Sequence, residues 1–401
     1  MSSSPFLRFR TGLRWHLHPR AVPRVCAVAL LVAGAAVVGA GPAAARTLGC
    51  GEVITVDTTL AGDLVDCPDE GLVIGADDIT LDLDGHTIDG DAVSPASCPV
   101  EGRVCDVGVD NSAGHRGVTV KGGSIQQFTA GVVVTGGDDN QLRRLTIAQT
   151  TNEAIAVGRS ARTLIEGNTI TDPGFAVVVA LESSDTVVSR NVASGNDEEG
   201  LLVGGTGISV RDNVVSNGAN GVDVANGASG VRVEGNVLRD VGDGVIVGVV
   251  SDTVVRHNAV TAVGGGELGG FGIILDGAVG TTVDQNTVHV SGPGPAIYVA
   301  HLDAPTAPRD DRVTQNHATS EHADGILVDP DATGTLLAGN AAVRSGDDGI
   351  DVDAPGTTLT GNFAAYNHDL GIEAVPGVVD GGGNRAVGNG NPAQCTNITC
   401  S

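Results

Sequence analysis

LIEGNTI (residues 164–170), VVSRNVA (187–193) and SVRDNVV (209–215) each carry a central asparagine, at Asn168, Asn191 and Asn213. The phrase returns around Asn236, Asn258, Asn286, Asn316, Asn340, Asn362 and Asn384, at steps of 22 to 30 residues. Three residues before the Asn stands Ile165, Val188, Val210, Val233, Val255, Val283, Val313, Leu337 or Leu359, and only Gly381 breaks the rule. A second motif falls between the asparagines, as GLLV at Gly200, GVDV at Gly221, GVIV at Gly244, GILV at Gly325 and GIDV at Gly349. A fixed period of this size means stacked supersecondary units. The apolar positions of GIxV lie two apart, as one face of a strand requires. No long stretch sustains a helical apolar period. A unit this small cannot bury its own apolar face, so the units must stack in parallel.

The asparagine has a mechanical use. It falls at the corner between two short strands, where a left-handed residue turns the chain, and Asn tolerates that conformation. Its amide both donates and accepts, so stacked copies can bond from one turn to the next. The expected architecture is therefore an all-β solenoid of about thirteen turns, roughly 60 Å long at ~4.8 Å per turn.

Repeats of about 22 residues with GIxV and a corner Asn, opened by LDLDGHTIDG (residues 81–90), resemble the right-handed parallel β-helix proteins of the pectate-lyase-like superfamily. The resemblance runs from about Gly71 to Ala386. It implies a right-handed coil with an asparagine ladder and capped ends. It leaves the activity open, because one fold carries many chemistries.

The ends and insertions follow from composition. Five arginines precede an apolar run from about Val25 to Val38, and Ala43-Ala44-Ala45 follows, so residues 1–45 read as a cleaved secretory signal. An uncleaved membrane anchor is the rival reading. Residues 46–70 are expected to cap the coil, 71–386 to form it, and 387–401 to close it. Insertions are expected at 91–106, 264–270 and 301–311. Cys50, Cys67, Cys98, Cys105, Cys395 and Cys400 form an even set in an exported chain, which suggests disulfides, and locality favours Cys50–Cys67, Cys98–Cys105 and Cys395–Cys400.

The formal charge is −26, and the signal stretch contributes five Arg and no acid, so the remainder is still more acidic. That excludes nucleic acid and anionic lipid as natural partners. The expected partner is an extracellular polysaccharide or surface glycan, bound by a monomer.

The candidate site lies on one side of the coil. The outward residue of the GIxV strand is apolar from Ile246 through Ile274 and Tyr298 to Leu327, then becomes Asp351 and Glu373. Either the neighbouring loops fold over the apolar part, or it stacks against sugar rings. Asp324 precedes one such strand and Asp347-Asp348 the next. Crowded carboxyls raise one another's pKa, so that an acid and a base coexist near neutral pH. The run ADG, GDDG, NH over three successive turns resembles polygalacturonase-type hydrolases. By that resemblance Asp324, Asp347 and Asp348 would act as general acid and as bases for the attacking water, with His368 in the third place. His368 lies two positions off the column, and the Arg-x-Lys of that family is absent, since no Lys follows Lys121. Tyr298, His301, Asp303 and Asp351 are the expected substrate-binding residues. Calcium is the cofactor that clustered Asp oxygens would suit, although no compact calcium loop is visible. Two function classes remain. One is a secreted polysaccharide-active hydrolase, lyase or epimerase. The other is a non-catalytic glycan-binding or structural module, because Asp-Gly before a strand is also ordinary turn chemistry.

Overall fold

The computed structural model describes residues 45–93, 105–180, 182–224, 227–266, 268–302 and 304–401. Residues 1–44 of the expected signal 1–45, and most of the expected insertion 91–106, lie outside the described residues. The chain winds as a parallel β-solenoid. One 14-stranded sheet takes a strand from each turn, and a 27-stranded sheet takes the strands on either side of the asparagine corner. Leu164–Glu166, Thr169–Thr171 and Phe175–Val179 make one such turn. Each strand pairs in parallel with its counterpart a turn on, Ile165 with Val188, Ile170 with Ala193 and Val177 with Leu201.

The apolar position three before each Asn is the core. Ile165, Val188, Val210, Val233, Val255, Val283, Val313, Leu337 and Leu359 are all fully buried. The two apolar residues of GIxV point inward beside them, as with Val222 and Val224 or Ile350 and Val352. The asparagines form a continuous buried row. The Asn213 Nδ2 donates to Asn236 Oδ1 at 3.0 Å, and Asn236 Nδ2 donates to Asn258 Oδ1 at 3.0 Å. The same contact runs from Asn168 to Asn384. The left-handed residue at the corner is the one before the Asn, Arg190 at φ 55°, Asp212 at 57° or His257 at 54°. The Asn therefore supplies the hydrogen bonds, and its neighbour makes the turn.

Two features depart from the sequence reading. Glu52–Ile54, Thr58–Leu60 and Leu64–Cys67, in the stretch expected as a cap, pair with the strands of the next turn. That stretch is itself a turn of the coil, which accounts for fourteen turns rather than about thirteen. A second amide row also exists near the C-terminus. Asn367 Nδ2 donates to Asn389 Oδ1 at 2.9 Å, and Asn389 Nδ2 donates to Gln394 Oε1 at 3.0 Å. Its sequence signal is an Asn five residues after ladder positions Asn362 and Asn384.

Disulfides join Cys50 to Cys67 and Cys395 to Cys400. Cys105 is also disulfide-bonded, and Cys98 lies outside the described residues.

Candidate functional site: a carboxyl row on the fourteen-stranded sheet

The corner before each strand of the 14-stranded sheet sets the position of the acids. Asp324 stands two residues before Ile326–Val328, and Asp348 two before Ile350–Val352. The Asp348 N–H donates to Asp324 Oδ1 at 2.9 Å, and the Leu370 N–H donates to Asp348 Oδ1 at 2.6 Å. Each carboxyl thus accepts a backbone N–H of the next turn. Oxygens of Asp324, Asp347 and Asp348 lie within 4.8 Å of one another, and so do those of Asp348, Asp351 and Glu373. Asp348 is shared and almost fully buried, whereas Asp347 and Glu373 face solvent. Glu373 enters the site because it pairs in register with Asp351, one turn further along the outward face.

Burial decides the electrostatics. It pushes Asp324 up to about 6, against the opposing Asp348 N–H and with help from the charge of Asp347. It pushes Asp351 up to about 7, with repulsion from Asp353, Asp324 and Glu373 added. Asp348 is raised as well, first by burial and then by the hydrogen bond it shares with Glu373. This is the arrangement in which crowded carboxyls retain protons near neutral pH.

The other expected residues are placed differently. His368 is exposed and joins neither carboxyl group; its N–H donates to the carbonyls of Ser345 and Asp347. Tyr298 is nearly buried. Its ring lies 5.6 Å from that of Phe271, and its hydroxyl donates to Asp329 at 2.7 Å. Leu268, Phe271 and Leu327 pack on Ile246, Ile274 and Tyr298, so the glycine loop folds over the apolar stripe. Asp243 holds that loop, accepting the N–H groups of Leu268, Gly270 and Phe271. His301 is fixed through Asp331 at 3.0 Å, and that hydrogen bond raises its pKa. Its N–H donates to Asp329 Oδ2. Asp303 lies outside the described residues. A calcium ion would find three carboxylate oxygens in either group, out of the six to eight such an ion takes, and water would supply the rest.

A family model described as the right-handed β-helix region matches residues 107–288. The chain has the right-handed parallel β-helix fold. Among solved structures, this β-helix is similar to the catalytic unit of an α-1,3-glucanase from Streptomyces thermodiastaticus, with 16% identity and a TM-score of 0.50. That match covers 85% of this chain and 63% of the glucanase, so the chain spans less than two thirds of its length. It is also similar to the A-module of a mannuronan C-5 epimerase from Azotobacter vinelandii, with 14% identity, a TM-score of 0.51, and 86% and 91% of the two chains covered. At such identities the likeness shows the fold alone. No curated protein matches the sequence.

Proposed function

We propose that the protein is an exported β-helix that hydrolyses glycosidic bonds in an extracellular polysaccharide at the carboxyl row of Asp324, Asp347, Asp348, Asp351 and Glu373. The observation that carries this reading is Asp351, half-buried and raised to about 7, within 4.8 Å of solvent-facing Glu373. One carboxyl that keeps its proton beside another that faces water is what glycoside hydrolysis needs. Asp351 donates its proton to the glycosidic oxygen as the bond to the anomeric carbon breaks. Glu373 attacks that carbon and holds it as a glycosyl ester, because a separation within 4.8 Å leaves no room for a water between the two carboxyls. Asp351, now ionised, takes a proton from the water that hydrolyses the ester, which restores both carboxyls. Asp324 and Asp347 keep the field around Asp348 negative and hold sugar hydroxyls at the exposed end. Export is supported by the two disulfides and by the signal-like leader. The glycan-acting proteins that share the coil support the substrate class.

One observation favours the alternative, a non-catalytic glycan-binding or structural module. Asp324 and Asp348 both serve the backbone of the following turn. Release of reducing ends from a polysaccharide panel separates the two. Asp351→Asn should lose at least ~10²-fold in rate, the typical share of a catalytic acid, with its melting temperature kept. Asp348→Asn retains the acceptor for Leu370 and should behave alike. Full activity in both variants on a substrate the wild type cleaves would sink the hydrolase reading. A loss of rate on adding chelator would assign calcium to the row.

A further inference from the structure

Tyr366 is 63% exposed. Among the described residues the other phenyl and phenol rings, those of Phe128, Phe175, Phe271, Phe363 and Tyr298, are buried or half-buried. Even half-buried Phe363 has the Arg385 guanidinium over its ring, at 5.9 Å. The chain has only six Phe, two Tyr and one Trp in 401 residues, so a ring left in water calls for a reason.

The backbone sharpens the question. Tyr366 is left-handed, at φ 59°, on the corner that follows the strand Phe363–Ala365. On other turns this corner holds Asp172, Gly195, Asn217 and Asp240, which adopt that conformation more readily. A bulky side chain adopts it at a cost, and such outliers gather where a function holds them. The next turn accommodates the ring. Gly388 stands opposite Tyr366, after the paired Ala365 and Val387, and a Cβ there would come 2.8 Å from the ring's Cε1 and 2.9 Å from its Cδ1. The ring leans over bare backbone and keeps most of its surface open. The carboxyl row is adjacent. Exposed Arg344 is the counterpart of Tyr366 one turn earlier, three residues before Asp347. From Tyr366 the chain wraps the corner that Asp347 and Asp348 occupy. The His368 and Asp369 N–H groups donate to the Asp347 carbonyl, and the Leu370 N–H donates to the Asp348 carboxyl.

We infer that Tyr366 is the stacking platform for one pyranose ring of the polysaccharide, at a subsite beside the carboxyl row. That the ligand is a sugar rests on the polysaccharide reading above, whereas the exposure and backbone of Tyr366 do not. A pyranose presents an apolar C–H face, which an aromatic ring matches, and a rim of hydroxyls, to which the Arg344 guanidinium and the phenol can hydrogen-bond. A tyrosine offers this area with only two side-chain torsions to order. The carboxyl row is made of acids alone and supplies no such face. Tyr298, the other tyrosine, does not supply it either, because Phe271 packs against its ring. A polymer crossing the corner would place one ring on Tyr366 and the bond to be cut at Asp351 and Glu373.

The chain's only tryptophan is Trp15, within the expected signal, so Tyr366→Trp in the exported protein places a fluorescent reporter on the platform itself. Short oligomers of glucose, mannuronate, galacturonate and N-acetylglucosamine are titrated in turn. At least one should shift or quench the emission. By calorimetry Tyr366→Asn should bind that oligomer about tenfold more weakly than the wild type does. In hydrolysis its loss should fall on KM rather than kcat, since a ring stacked away from the broken bond is held equally in the ground and transition states. Asn suits the left-handed corner, so Tyr366→Asn should melt no lower than the wild type. The inference is overturned if no oligomer changes the emission, or if Tyr366→Asn binds as the wild type does. A lower melting temperature with unchanged affinity would make Tyr366 a packing residue and overturn it too. Reducing-end release reports on the carboxyl row and emission on the platform. Hydrolysis without an emission change sinks this inference alone, and an emission change without hydrolysis sinks the hydrolase reading alone.

Discussion

Replacing Asp311 with Asn should make the protein more stable above neutral pH. Asp311 is fully buried, at the base of the 301–311 insertion. Its Oδ1 accepts the Thr281 N–H at 2.7 Å, and its Oδ2 has no partner among the described residues. Burial pushes the carboxyl up to about 7, with the Thr281 N–H opposing and Asp310 adding to the rise. In the unfolded chain the group ionises near its ordinary 3.8. The folded state therefore binds a proton that the unfolded state has released. The stability this contributes is complete below about pH 4 and is lost as pH climbs through about 7. A shift of about three units corresponds to about 4 kcal/mol as a ceiling. Asn keeps the oxygen that Thr281 needs and never ionises. Urea unfolding of both proteins between pH 4.5 and 8.5 measures the effect. Asp324 and Asp351 titrate in both, so they cancel in the difference. The variant should gain about 2–4 kcal/mol on the wild type across that range. A difference that does not move with pH would refute a buried, protonated Asp311.

Asn236→Leu should cost about 3 kcal/mol or more in chemical denaturation, because it orphans the Val210 carbonyl, the Asn213 N–H and an Asn213 amide hydrogen, all buried. A cost below about 1 kcal/mol would mean the row is not held by its hydrogen bonds. Removing the Cys50–Cys67 bond, which closes 17 residues, should cost about 3 kcal/mol, and removing Cys395–Cys400, which closes five, about 2; the reverse order would contradict a chain-entropy origin. Asp243→Ala removes the acceptor for three N–H groups of the glycine loop, so limited proteolysis should cut within 264–270 several times faster, with dye binding to the uncovered Ile246 and Ile274. Unchanged cleavage would show that apolar packing alone holds the loop.

The coil is readable from the sequence because its two strongest signals are enforced on each turn from Asn168 to Asn384. A polar residue in place of Val233 would lie in the core, and an apolar one in place of Asn236 would strand a buried N–H. The same enforcement hid other things. Residues 46–70 read as a cap because the open end of a coil must be covered, although Leu60, Leu64 and Cys67 are buried like any core position. The corner asparagine reads as the left-handed residue, yet that conformation belongs to the residue before it, Arg190 or His257 as well as Gly235. Side chain and backbone have separate duties there, and sequence shows only that some residue fills each place.

The carboxyl row is where sequence reasoning meets its physical limit. Asp243, Asp324 and Asp348 each stand immediately before a Gly and an apolar strand, and nothing local tells them apart. In the fold, Asp243 is spent on three N–H groups of a loop, whereas Asp324 and Asp348 each accept one N–H from the next turn. The difference comes from what lies a turn away. Asp243 meets the glycine loop, and Asp348 meets Glu373 and Asp351. A carboxyl that turns the chain and one that holds a proton are the same residue at this corner, distinguished only by whether the next turn brings donors or further acids. Adding Glu373 and Asp351 to the pair read from GDDG is what converts a turn motif into a proton-holding group.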